Sequence, residues 1–212
     1  MAQLVDLLGF FVIVLVLFMQ WQIYVTRVIT TFAVSSIMIA ASLVFIGIQT
    51  GETPSILVGV LTAVVRGITI PVIVVRSLHT EPHRAREQRP VVPTATSIFV
   101  SLGLVLFSYA LYTLGIGNAI ELPSGFLPLA LLFQGGFLII SRRNAFIQLA
   151  GYLSMENAVL LFGSLVFPGI PFIVEAGVVL DLLGVVVVSR IIMRLRESTE
   201  ADGSYGHKEL RG

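Results

Sequence analysis

Long apolar runs recur along almost the whole chain, and they constrain the fold more than any other feature of the sequence. A helix needs about 20 apolar residues to cross the hydrocarbon core of a bilayer. Charged residues make up only 12% of this chain, whereas soluble domains contain about 25%. This composition excludes a water-soluble domain and a disordered chain, and a formal net charge of +1 excludes a nucleic-acid-binding protein. We therefore predict an all-α, polytopic membrane protein embedded in a lipid bilayer.

Seven segments have the length and composition of a membrane-spanning helix, and the loops between them are short and rich in turn-forming residues. The predicted spans are 4–24, 29–49, 55–76, 94–114, 125–141, 145–166 and 171–192. We expect residues 1–196 to form one seven-helix membrane domain. Residues 197–212 are expected to form a polar cytoplasmic tail.

The positions of lysine and arginine predict the orientation of the spans. Of the 13 lysine and arginine residues, all except Arg66 fall in loops or at helix ends on one side of the predicted membrane. Positively charged loops are retained in the cytoplasm. The N-terminus is therefore expected outside and the C-terminus in the cytoplasm, as an odd number of spans requires.

The most informative charged residues are four that lie well inside the predicted spans. Arg66, Glu156 and Asp181 are near the centres of spans three, six and seven, and Glu175 lies closer to the outer end of span seven. Each central charge costs about 2.5–3.5 kcal/mol on insertion scales, so pairing, water or a partner protein has to compensate for it. Such residues typically mark an ion or proton path. The alternative is a structural ion pair that fixes helix registry.

A polar stripe along span six leads to the carboxylate of Glu156. Asn144, Gln148, Tyr152 and Glu156 recur every four residues and therefore share one slowly turning face of the helix. This stripe predicts a water-filled access route from the cytoplasm, in which Gln148 and Tyr152 are lining residues. Hydrogen bonding to neighbouring helices is the alternative.

The surroundings of Arg66 in span three indicate an irregular helix. Pro71 has no N–H to donate to the carbonyl of Gly67, so we expect the helix to kink beside the cation. Thr62 and Thr69 are expected to flank Arg66 on one face. Arginine stays protonated at physiological pH. Arg66 is therefore predicted to be a fixed counter-charge that carries no proton itself.

The sequence gives no indication of a catalytic centre, metal or cofactor in this chain. There is no cysteine, and the three histidines all lie in polar segments. The only lysine, Lys208, lies in the tail, which excludes a retinal Schiff base within the bundle. No nucleophile triad, phosphate-binding loop, dinucleotide fingerprint or zinc helix is present.

Three stretches of the last spans carry a family resemblance. Residues Ser141–Asn144, Gly151–Asn157 and Val174–Gly177, together with Asp181, resemble component E of hydrogenase-4-type complexes. These are membrane subunits of group 4 [NiFe] hydrogenases and formate-hydrogenlyase relatives. The likeness extends along the chain, although Arg66 occupies a position where that family usually has lysine.

The part of the chain from 125 to 196 is also similar to a three-helix unit, the K-type subunit of complex I and the C-type subunit of multisubunit cation/proton antiporters. Arg142–Asn144 matches the pattern of these subunits, and Asp181 matches their second carboxylate. Their first glutamate position is occupied by Leu153, and Glu156 lies one helical turn further on.

These resemblances imply a subunit without a catalytic centre of its own, in the cytoplasmic membrane of a prokaryote. It would lie between antiporter-like membrane subunits and a peripheral hydrogenase-like arm, and the NiFe centre and iron–sulfur clusters would belong to those partners. The implied function is a share in proton or sodium translocation coupled to electron transfer. A stand-alone or multisubunit cation/proton antiporter component and a purely structural assembly subunit are the alternatives.

Six residues are predicted to form the path for protons or ions. Glu156 and Asp181 are the candidate titrating sites, and Arg66 is their fixed counter-charge. Glu175 gives weaker support, while Gln148 and Tyr152 are expected to line access from the cytoplasm.

Overall fold

The computed structural model describes residues 2–79, 90–116 and 125–167, together with the separate positions 179, 183, 184, 186, 187, 190 and 194. Within these residues the chain is helical with short connections, and none of them belongs to a β-strand. The prediction of an all-α protein is confirmed for this part of the chain.

Seven α-helices follow one another in the continuous ranges. They are α1 (Ala2–Trp21), α2 (Val25–Thr50), α3 (Thr53–Thr62), α4 (Ile70–His79), α5 (Thr94–Leu111), α6 (Phe126–Ser141) and α7 (Ala145–Val166). Two π-helical segments interrupt the α-helical geometry. Ala63–Thr69 joins α3 to α4 within one span, and Tyr112–Ile116 continues α5.

Among the described residues, five helical stretches are long and apolar enough to cross a membrane. They are Leu4–Trp21, Val25–Thr50, Thr53–Leu78, Thr94–Gly115 and Ala145–Val166. The predicted fifth span corresponds to α6, which has 16 residues and is therefore about 24 Å long, shorter than the hydrocarbon core of about 30 Å. Most of the predicted seventh span, 171–192, and the whole tail, 197–212, lie outside the described residues. The seven-span count and the orientation stay predictions.

The hairpin between α2 and α3 illustrates how the sequence ends one helix and starts the next. Gly51 adopts a left-handed backbone conformation with φ of 74°, and its N–H donates to the carbonyl of Gly47. The N–H of Glu52 donates to the same carbonyl at 2.9 Å. Glycine adopts this left-handed conformation without strain, because it has no Cβ. Pro54 lies in the first turn of α3, where a backbone N–H would have no partner within the helix, so the N–H that proline lacks is not missed. The two helices are therefore antiparallel neighbours.

Glycines let the backbones of α6 and α7 touch. A Cβ built on Gly151 would lie 2.7 Å from the carbonyl oxygen of Gly135, and a Cβ built on Gly135 would lie 2.7 Å from the carbonyl oxygen of Gly151. Small residues at such crossings are typical of helix pairs in membranes, where close van der Waals packing takes the place of a hydrophobic driving force. This contact sets the depth of α7 relative to α6.

Helices α2 and α7 lie at the centre of the described bundle, whereas α5 lies at its edge. The buried share of the span is 56% for α2 and 61% for α7, but only 17% for the span that contains α5. The outer surface is strongly apolar, with Phe99 75% and Leu114 83% exposed. Such a surface is typical of contact with lipid or a partner helix. The buried polar side chains of α2 and α7, among them Ser36 and Asn157, therefore face the interior of the described bundle.

Candidate functional site

A buried ion pair lies at the centre of the described bundle. The guanidinium Nη2 of Arg66, in the π-helical segment, lies 3.0 Å from Oε2 of Glu156 on α7. The side chain of Arg66 is 0% exposed and that of Glu156 is 4% exposed. The structure thus brings together two of the residues that depth in the sequence places in one layer. Two charges removed from water are stabilised only when their geometry is good and further hydrogen bonds satisfy the remaining donors and acceptors.

Hydrogen bonds extend the ion pair to a third helix. Arg66 Nη1 donates to Oδ1 of Asn157 at 2.8 Å, and Asn157 Nδ2 donates to Oγ of Ser36 at 2.9 Å. Asn157 and Ser36 are 1% and 0% exposed. The resulting network connects α2, the π-helical segment and α7. Neither Asn157 nor Ser36 was among the predicted site residues.

Tyr152 lies against the carboxylate of the pair. It precedes Glu156 by four residues, so both side chains lie on one face of α7. The side chain of Tyr152 is partly buried, and it lies close enough to Glu156 to interact with its carboxylate. A neutral hydroxyl next to a carboxylate is a group through which a proton can pass to or from solvent.

The expected distortion beside Arg66 takes the form of the π-helical segment Ala63–Thr69. The N–H of Ile70 donates to the carbonyl of Val65, and the hydroxyl of Thr69 donates to the carbonyl of Val64 at 2.9 Å. Both bonds span five residues instead of four, which gives wider turns. Because Pro71 cannot donate, the regular pattern is already broken at this point.

One detail of the prediction for span three is wrong. Thr62 is buried one turn before Arg66, as expected, but Thr69 is exposed. The expectation that both threonines share the face of Arg66 assumed α-helical rotation between successive residues. A π-turn holds more residues, so Thr69 is rotated away from the interior.

The polar stripe of span six has two parts with different surroundings. At its N-terminal end, Asn144 caps α7 by accepting the N–H of Phe146 at 2.9 Å. The Gln148 amide donates to the carbonyl of Arg142 at 2.8 Å and to that of Ile139 at 3.4 Å. These bonds correspond to the alternative interpretation, hydrogen bonding to neighbouring backbone. A role of Gln148 in access to Glu156 stays a prediction.

Arg142, one of the cations at the α6–α7 connection, is buried. Arg142 is 1% exposed, and its Nη2 donates to the backbone carbonyl of Gln20 at the end of α1. The long stem of arginine can lie along apolar surface while its head satisfies carbonyls left unused at a helix end. Arg142 therefore ties the ends of α1 and α6 together.

A further buried polar side chain, Gln134 on α6, was not found by reasoning from the sequence. It is 0% exposed, and neither of its amide atoms has a hydrogen-bond partner among the described residues. The adjacent Gly135 contacts Gly151 and Met155 of α7. Gln134 therefore lies at the depth of Tyr152, in the same half of the bundle.

The two remaining predicted site residues, Asp181 and Glu175, lie outside the described residues. Gly184, three residues after Asp181 in the sequence, is one of the described positions. A Cβ built on Gly184 would lie 3.1 Å from Leu153 and 3.7 Å from Ile70. At this position the last segment thus packs against α7 and α4, the two helices that flank the ion pair.

Among the described residues, no group of three or more histidine, cysteine, aspartate or glutamate side chains is placed to hold a metal ion. A cavity of about 190 Å³ lies between the second π-helical segment, α6 and α7. Its lining is apolar apart from the hydroxyl of Tyr112. It offers no acid–base pair for catalysis.

Comparison with known proteins gives one distant relative and no functional description. The chain is 29% identical over 182 residues to a Mycobacterium tuberculosis protein described as the uncharacterized protein Rv0085, a match that covers 83% of this chain and 81% of the relative. No protein-family model matches the chain. No solved structure matches it.

Proposed function

We propose that this chain is a non-redox membrane subunit of a complex-I-related, hydrogenase-4-type energy-converting complex, and that the Arg66–Glu156 pair belongs to its proton or sodium path. The observation that carries this proposal is an ion pair with side chains 0% and 4% exposed in the centre of an apolar bundle. Ionisable residues inside membrane spans are expensive, and they typically mark transport paths.

The chemistry of the pair suits a gated site. Arg66 keeps its charge at any physiological pH, so Glu156 is the member that can bind and release a proton. The carboxylate can accept a proton only when its interaction with the guanidinium at 3.0 Å weakens. A change in the distance between α7 and the π-helical segment would therefore change the proton affinity of Glu156, and partner subunits that move either helix would control it.

The packing of Gly184 supports a wider path that includes Asp181. Asp181 lies three residues before Gly184 in the sequence, and Gly184 packs against Leu153 and Ile70 on the helices of the ion pair. We assign Asp181 as the second carboxylate and Glu175 as a residue nearer the outer surface. In this proposal the chain has seven spans with its N-terminus outside, in a prokaryotic cytoplasmic membrane. Antiporter-like subunits lie beside it, and a peripheral arm holds the redox centres.

The test is the charge-neutral variant Glu156→Gln in membrane vesicles that contain the complete complex. We expect proton or sodium translocation to fall at least tenfold while electron transfer to an artificial acceptor continues. Glu52→Gln is the matched control, because it removes the same charge at the start of α3, away from the pair. Unchanged translocation in Glu156→Gln would remove Glu156 from the path.

A structural role is the second candidate, and the hydrogen-bond network favours it specifically. Ser36, Arg66 and Asn157 connect three helices and would fix their registry even if no ion moved. If the role is purely structural, charge-neutral variants such as Glu156→Gln prevent the complex from assembling. They do not produce an assembled complex with reduced ion translocation. A cation/proton antiporter component would instead show ion-driven flux when the purified chain is reconstituted alone.

A further inference from the structure

Asn157 gives Arg66 a hydrogen-bond acceptor in addition to its ion pair with Glu156. Its Oδ1 accepts from Arg66 Nη1 at 2.8 Å, while Arg66 Nη2 lies 3.0 Å from the carboxylate. Glu156 and Asn157 are neighbours in the chain, so the two acceptors reach the same guanidinium from one turn of α7. One of these acceptors can be protonated, and the other is an amide that does not titrate.

Arg66 determines which atom of the Asn157 amide faces it, and Ser36 holds the other end of the amide. An arginine side chain only donates hydrogen bonds, so Oδ1 has to point towards Arg66. The other end of the amide, Nδ2, donates to the hydroxyl oxygen of Ser36 at 2.9 Å. All three side chains are buried, at 0% or 1% exposure. The amide is therefore held in one orientation by a partner on α2.

We propose that Asn157 is a positioning residue for proton uptake by Glu156: it retains the Arg66 guanidinium when Glu156 becomes neutral, and Ser36 orients its amide for this task. The inference rests on the proposed function and adds a mechanism to it. When Glu156 is ionised, its carboxylate compensates the charge of Arg66. When Glu156 is protonated, the amide of Asn157 still accepts from Arg66, and each acceptor kept by a buried cation lowers the cost of its burial.

Few ionisable side chains of the described residues face Glu156, so the influence of Asn157 on its protonation can be measured separately. Within the described residues these are Arg66 and Tyr152. Helix α6, which packs against α7, contains no ionisable residue. Arg27 on α2, Arg76 on α4, and Arg190 and Arg194 in the last segment are exposed. His79 is the last residue of α4, and it is kept unchanged in every variant. Of the residues outside the described ranges, Asp181 and Glu175 are kept unchanged in every variant.

Two nearly isosteric substitutions at position 157 should shift the pH profile in opposite directions. Asn157→Leu removes the fixed acceptor, which makes neutral Glu156 less favourable, so the pH profile of translocation moves towards acid by about one unit. Asn157→Asp places a second anion beside Arg66, which makes neutral Glu156 more favourable, so the profile moves towards alkaline pH. Ser36→Ala frees the amide to rotate and should produce a smaller shift in the acid direction.

The experiment measures translocation against pH in vesicles with the complete complex, together with the infrared band of the protonated Glu156 carboxyl in the purified complex. That band is assigned by its loss in Glu156→Gln. Opposite shifts in the Leu and Asp variants, with Ser36→Ala between wild type and Leu, support the inference. A shift in the same direction in both variants, or an equal loss of activity with an unchanged profile, overturns it.

The two proposals fail in distinguishable ways. If translocation does not depend on Glu156, the proposed function is wrong, while the infrared titration still measures whether Asn157 controls protonation of the carboxyl. If Asn157→Leu does not assemble, the Asp and Ser36→Ala variants decide the matter by the sign of their shifts. An infrared titration that is identical in wild type, Asn157→Asp and Ser36→Ala rejects the positioning role.

Discussion

Replacing both members of the ion pair by methionine separates a structural role from a functional one. Each single change, Arg66→Met or Glu156→Met, leaves the other charge buried. Removing one partner of a buried pair typically destabilises a protein by about 3–5 kcal/mol, whereas replacing the whole pair by apolar residues of similar volume is often neutral or stabilising by about 1–4 kcal/mol. We expect the double variant to be more stable than either single variant.

The magnitude follows from the geometry of the pair. At 3.0 Å separation and an effective dielectric constant of about 20, the Coulomb attraction is about 5–6 kcal/mol. Removing Arg66 also leaves the buried Oδ1 of Asn157 without its donor, which costs about 1–3 kcal/mol more. Because the change also relieves the desolvation of one charge and the surroundings relax, the net loss in each single variant should be smaller than this sum, about 3–5 kcal/mol. The double variant should lie within about 2 kcal/mol of wild type, since the apolar side chains offset the lost hydrogen bond.

The assay is a double-mutant cycle on the purified complex, with the free energy of subunit unfolding measured by denaturant titration in detergent. Translocation is measured on the same four proteins in vesicles. An assembled double variant without translocation supports the proposed path. Additive losses in the single and double variants would refute the argument that the two side chains compensate each other, and full translocation in the double variant would leave the pair without a role in the path.

Two further predictions concern the packing of α6. Gly151→Ala should lower the melting temperature, because its Cβ would lie 2.7 Å from the Gly135 carbonyl oxygen. Helices α6 and α7 would have to separate, at a cost of about 1–3 kcal/mol or more. Gly103→Ala, with open space around its Cβ, is the control in the same thermal-stability assay. Equal melting temperatures for the two variants would contradict the close contact. Gln134→Met should leave the melting temperature unchanged or raise it, because it removes a buried amide without partners among the described residues. A clear drop in the melting temperature would mean that the amide has a partner, such as a buried water.

The parts of the fold that follow from local chemistry could be predicted from the sequence. The predicted span 145–166 coincides with α7, Ala145–Val166, because Asn144 caps its first turn and the apolar run continues to its end. That Arg66 pairs with a carboxylate at its own depth was foreseeable for a similar reason, but the sequence left open whether the partner is Glu156 or Asp181. Each charge lies deep in an apolar segment, each needs compensation there, and their signs are opposite.

The contacts that depend on how helices are rotated against each other could not be predicted. Asn157 follows Glu156 directly, yet only the packing of α7 against α2 brings its amide to Ser36. Serines in membrane helices commonly bond to their own backbone, as Ser42 and Ser154 do here, so Ser36 carries no distinctive signal. Pro71 indicates that the helix is disturbed but not that the disturbance is a π-helical segment.

The long separation in sequence between Arg66 and its acceptors has a consequence for biosynthesis. The hydrogen bond from Arg66 to Asn157 joins residues 91 positions apart. At about 5–20 residues per second on the ribosome, the acceptor is made about 5–18 seconds after the cation. During that interval the translocon, lipid headgroups or neighbouring polypeptides have to accommodate a charged hairpin. The order of translation therefore means that Arg66 gains its acceptors, Glu156 and Asn157, only when α7 arrives.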